Sequence, residues 1–143
     1  MVPPDGNHGN SAPIDRPILE SIRDRFQTTR QVETARIADE GHHELLVRFA
    51  DDFYPESVTR ATLSVRWYTN DDFMTHYREA HTADDWECRW DRHPNNQDHR
   101  DHYHPPPNAR TPAQDASWPD DYREMLSQVM NEIEERIAEL WAG

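Results

Sequence analysis

From residue 31 to residue 91 apolar and polar side chains alternate with a period of two, and beyond residue 118 the period becomes that of a helix. Residues 58–69 show the first pattern most clearly. Ala61, Leu63, Val65 and Trp67 fall on one face, and Thr62, Ser64, Arg66 and Tyr68 on the other. In 86–91, Trp86, Cys88 and Trp90 oppose Glu87, Arg89 and Asp91. Residues 31–38, 43–50 and 72–80 alternate likewise, and Gly41, Asn70-Asp71 and Thr82-Ala83-Asp84-Asp85 supply turn chemistry between them. Ile18, Leu19, Ile22 and Phe26 follow Pro17 at helical spacing, which predicts a helix over 17–27. Tyr122, Leu126, Val129, Ile133, Ile137 and Leu140 line one stripe of a second helix over 118–141, for which Ser117 and Asp120 offer a capping box.

The fold class these elements predict is α+β. A curved antiparallel sheet of about five strands is packed by a short N-terminal helix and a long C-terminal helix. One face carries Leu63, Val65, Trp67, Trp86, Cys88 and Trp90; the other carries a polar stripe of Arg66, His76, Arg78 and Arg89. Residues 1–14, rich in Pro, Gly and Asn, are expected to be a disordered tail ahead of a single domain over 15–143. Within that domain residues 92–117 hold five prolines and no period, and are expected to form a functional loop over the polar face or the rim of the sheet.

Composition narrows the setting. The chain has 143 residues, enough for one modest core, and its formal charge is -13. All 15 basic residues are arginine and lysine is absent, against 28 acidic residues. Acidic excess without lysine fits a salt-adapted cytoplasm, where carboxylates keep a hydrated surface and salt screens their repulsion. It also leaves no basic excess for a large nucleic-acid footprint. Cys88 is the single cysteine, so no internal disulfide can form, and its place between two tryptophans reads as a small buried side chain. With no signal-peptide pattern and no apolar run of about 20 residues, the expected protein is cytoplasmic and makes no membrane contact.

Two features carry candidate chemistry. The first is His93-x5-His99-x2-His102-x-His104, interrupted by Asp98 and Asp101. Imidazoles can transfer protons near neutral pH or ligate metals. The irregular spacing and lack of thiols argue against a closed zinc site, so no metal and no cofactor are expected. His102 and His104 would share a side of an extended segment. The second feature is Arg89-Trp90-Asp91, where an arginine suited to a phosphate and a carboxylate suited to orienting it point the same way.

Arg89-Trp90-Asp91-x-x-Pro94, followed by His102-Tyr103-His104, resembles the signature of the TumE-like toxin family. The hairpin from Ser64 to Arg78 is similar to that family's central sheet, and the likeness spans roughly residues 30–106. Arg92 stands where the family has asparagine, His93 where it has alanine, and Asn95 and Asn96 where it has paired histidines. The resemblance implies the toxin component of a type II toxin–antitoxin pair, a small antitoxin partner and ribonuclease-like action on a short RNA. The expected site at the strand end is Arg89 on the phosphoryl oxygens, Asp91 to orient Arg89 or an imidazole, His102 and His104 as the acid/base pair, and His99 in reserve. Other functions open to the sequence are a metal-binding or regulatory domain using the histidine cluster, or a non-enzymatic partner protein with the C-terminal helix as its homodimer or antitoxin surface.

Overall fold

In the computed structural model, which describes residues 12–41, 43–93, 100–110 and 112–143, the alternating segments form one antiparallel sheet. Its strands are β1 (Val32–Ala38), β2 (Glu44–Phe49), β3 (Val58–Trp67), β4 (Phe73–His81), β5 (Trp86–Arg92), β6 (Asp101–His104) and β7 (Gln114–Asp115). They lie side by side in chain order as a meander. Helix α1 is Arg16–Gln27 and helix α2 is Tyr122–Ala142.

The α+β class and both helices are as the periodicity predicts; the strand number is seven rather than about five. The two extra strands come from the segment expected to be aperiodic loop. In β6, Asp101-His102-Tyr103-His104 alternates, but with histidines on one side and a carboxylate and a phenol on the other, so it gives no hydrophobic signal. β7 is two residues long and exposed. The start of α2 also differs. Asp121 caps it, its carboxylate accepting from the Arg123 amide at 2.8 Å, and the Ser117/Asp120 pair lies ahead of the helix. In α1 the cap is Asp15, accepting from the Ile18 amide at 3.1 Å, with Pro17 in the first turn. Residues 1–11 of the expected tail lie outside the described residues; Ile14 already bridges Tyr68 at the end of β3.

Both helices cover the same face of the sheet. Leu19, Ile22 and Phe26 of α1 and Met125, Leu126, Val129 and Ile133 of α2 join Leu45, Val47, Leu63, Val65, Trp67 and Trp90 in one core. Each such side chain contributes about 1.5–3 kcal/mol by leaving water. Trp67 stacks on Phe73 with ring centroids 4.7 Å apart, closing the β3–β4 hairpin, and its indole N–H donates to Asp71 at 3.1 Å. Asp71 takes the left-handed backbone position that the turn needs without a glycine (φ 67°). Cys88 is buried in this core, where burial pushes its thiol up to about 12, so it is a packing residue rather than a nucleophile.

The helix-covered face also buries one ionic network. Glu79 has no exposed surface and accepts from the Tyr77 hydroxyl at 2.8 Å, from His81 at 2.7 Å and from Arg136 of α2 at 2.9 Å. The Arg136 guanidinium lies 3.9 Å from the centre of the half-buried Trp86 ring. Desolvation pushes the Tyr54 and Tyr77 hydroxyls, bonded to each other at 2.8 Å, well above the usual phenol range.

Candidate functional site

Among the described residues no helix covers the opposite face, and the strand register decides what meets on it. Residues paired across antiparallel strands point the same way. Arg89 on β5 pairs with His104 on β6 and with His76 on β4; Asp91 pairs with His102 and with Met74. The expected stripe of Arg66, His76, Arg78 and Arg89 therefore does share one face, joined there by Glu87, Asp91, His102 and His104.

Four of the five candidate site residues form one block. Asp91 is 3 % exposed. One of its oxygens, Oδ2, accepts from Arg89 Nε at 3.0 Å and lies 2.9 Å from His104 Nε2. The other, Oδ1, is buried with no hydrogen-bond partner among the described residues. The Arg89 Nη2 group lies 3.2 Å from His104 Nε2 and 3.5 Å from its Nδ1, so the guanidinium sits against the imidazole. His104 Nε2 thus has both the Asp91 carboxylate and the Arg89 guanidinium beside it. Arg89 remains about one-third exposed, with 32 % of its side-chain surface open to a ligand.

His102 lies deeper. It is 4 % exposed, its ring centre is 5.1 Å from that of His93, and its pKa is lowered first by burial and then by His93. Buried imidazole favours its neutral form. His99 lies outside the described residues, as do Asn95 and Asn96.

Arg92, the departure from asparagine, points to the helix side and is 4 % exposed. Its Nε donates to Asp101 at 2.7 Å and its Nη2 to the carbonyls of Trp118 and Pro119 at 2.9 and 3.1 Å, while the guanidinium lies over Phe73. Asp101 in turn accepts from the Trp118 amide at 2.7 Å. This clasp ties β5, β6 and the approach to α2 together, and so holds His102 and His104 beside Arg89 and Asp91.

Sequence reasoning missed two parts of this face. One is Glu87, whose Oε1 lies 2.8 Å from His76 Nε2. The other is a groove of about 520 Å³ running over β1–β4, lined by Arg36, Arg48, Arg60, Arg78 and His76, with Glu44 as its single acidic wall. Within a chain of charge -13 this is a local reversal of sign. The signal was present as single arginines among the polar positions of β1–β4, but gathering them needs the strand register. Among the described residues no group of three or more His, Cys, Asp or Glu is placed to hold a metal ion, and no helix is long and apolar enough to cross a membrane.

The fold and this face define an open-sheet α+β protein whose exposed side gathers imidazole–carboxylate pairs around an arginine. A family model described as toxin TumE matches residues 18–137, most of the chain, and the protein belongs to that toxin family. No curated protein and no solved structure matches it.

Proposed function

We propose that this chain is the toxin of a two-protein toxin–antitoxin pair and that it cleaves RNA without a metal. The observation that carries the proposal is the Arg89–Asp91–His104 cluster on the uncovered face. RNA cleavage by its own 2′-hydroxyl needs a base at that hydroxyl and fixed positive charge at the phosphoryl oxygens. His104, 2.9 Å from Asp91, is the imidazole for the first task, and the fork of Arg89 suits the second. His102, buried and neutral beside them, is a positioning residue for β6 rather than a carrier of charge.

The arginine-lined groove supports a polyanionic substrate, and its size supports a short segment of RNA, consistent with the small basic surface. The partner in this proposal is a small antitoxin protein, and the working compartment is the cytoplasm. A homodimer through α2 draws less support. The helix spends its apolar stripe, Met125, Leu126, Val129 and Ile133, on the chain's own core, and Trp141 is the large apolar side chain left exposed among the described residues.

The test is expression in a salt-adapted host, with and without the neighbouring gene, beside an Arg89→Ala/His102→Ala/His104→Ala variant. Growth arrest with RNA cleavage is expected from the parent alone, relieved by the neighbour and by the triple change while the variant stays folded. Equal arrest by the folded variant removes these residues from the chemistry. Stoichiometric metal in untagged, dialysed protein, lost on replacing His102 and His104, would favour a metal-binding regulatory domain instead.

A further inference from the structure

β5 presents Glu87, Arg89 and Asp91 in a row on the open face, and each carboxylate holds an imidazole on a different neighbouring strand. Asp91 holds His104 of β6 at 2.9 Å, and Glu87 holds His76 of β4 at 2.8 Å. Both histidines are register partners of Arg89, so its backbone position lies between theirs, with the guanidinium turned to His104 and Asp91. Two strand spacings put their Cα atoms about 10 Å apart, a span that seats one phosphodiester with a hydrogen bond on each side.

The two pairs differ in charge. Asp91 shares one oxygen between Arg89 and His104, so its charge is already balanced by the guanidinium. Glu87 has His76 as its side-chain partner among the described contacts. The other charged groups around His76 are Arg89 across β5, Arg78 on its own strand, which is paired with Asp85, and Arg66 on β3, which is paired with Glu44. The undivided Glu87 carboxylate engages the Nε2 edge of His76. His76 is also open to a ligand, with 30 % of its side-chain surface exposed.

We infer that His76, held by Glu87, is the general acid that completes this site, a role that no histidine near Arg89 among the described residues of β5 and β6 fills. The inference rests on the ribonuclease function proposed above. In the step, His104 Nδ1 takes the proton of the 2′-hydroxyl, and the 2′-oxygen forms a bond to phosphorus. The bond from phosphorus to the 5′-oxygen breaks, and that oxygen takes the Nδ1 proton of His76. The products are a 2′,3′-cyclic phosphate and a free 5′-hydroxyl. The two imidazoles exchange protonation states and are reset by solvent.

A leaving-group experiment with the purified full chain separates the roles. One substrate is a short RNA with its natural 5′-oxygen leaving group; the other is a nucleoside 3′-(4-nitrophenyl phosphate), whose leaving group needs no acid. His76→Ala is expected to lose about 10²–10⁴-fold in kcat on RNA and to keep the nitrophenyl rate within about tenfold. His104→Ala is expected to lose both. Glu87→Gln is expected to move the alkaline limb of the kcat/KM profile to lower pH and leave the acidic limb in place. This milder variant also decides the matter should His76→Ala not fold. His76→Ala cleaving RNA at the parental rate, losing both substrates equally, or an unmoved alkaline limb in Glu87→Gln overturns the inference while leaving the ribonuclease function intact. Cleavage of neither substrate by the parent overturns both.

Discussion

Each face of the sheet holds a histidine–glutamate pair, and the two pairs are built for opposite ends. Glu79 on the packed face has no exposed surface and gathers Tyr77, His81 and Arg136 around it. Glu87 on the open face keeps 28 % of its side-chain surface in solvent and holds His76. The first carboxylate has spent its hydrogen-bonding capacity inside the fold, where losing a partner strands a buried charge. The second stands in water, where the pair adds little to stability and leaves one edge of the imidazole for a ligand. The same two residue types thus become a buried strut or a solvent-facing pair according to which way the strand turns them.

That contrast sets the order of expected effects. Glu79→Gln should be the most damaging single change here, at about 3–5 kcal/mol, because Arg136 would lose its charge partner in a buried site. Urea unfolding of the variant measures it, and a loss below about 1 kcal/mol would place Glu79 with the surface pairs. The next effect is a pH dependence. Burial lowers the His102 pKa, so the unfolded chain binds that proton more readily than the folded one. His102 therefore contributes stability that is complete above about pH 6.5, the unfolded value, and is lost as pH falls through its lower folded value. The difference in urea midpoint between parent and His102→Gln should shrink toward acid; a constant difference would show that His102 does not titrate with folding. The smallest effect on stability belongs to Arg36→Ser/Arg60→Ser on the groove, within about 0.5 kcal/mol per site. Binding of single-stranded RNA should nevertheless weaken, and its logarithmic salt dependence should flatten by about 1.4 if both arginines meet phosphates.

The sequence made the packed face legible because Leu63, Val65, Trp67 and Trp90 advertise themselves by period and size. It also showed which residues of each strand lie opposite them, and so exposed Arg66, His76, Arg78 and Arg89 as companions. Pairing between strands was out of reach. Glu87 belongs to His76, and Arg36 joins Arg60 and Arg78 across a groove, only through a register that turn sequences do not spell out. β6 was hidden for another reason. Its alternation is of histidine with Asp101 and Tyr103, and a polar alternation looks the same as a solvated loop. His102 and His104 were still placed on one side, because that needs only an extended backbone.

The bond from Arg92 to Asp101, its own register partner, also acts as a proofreading device. A strand that slips by one residue exchanges its faces. In β6 such a slip would turn both histidines toward Trp90 and Trp118 and set Tyr103 beside Arg89. With so little apolar content of its own, β6 has weak means of resisting that error. Arg92 and Asp101 meet on the helix side only when the histidines face outward, and Asp101 then also receives the Trp118 amide. The chain can therefore assemble its histidine face in one alignment, checked by a buried ion pair on the reverse of the sheet.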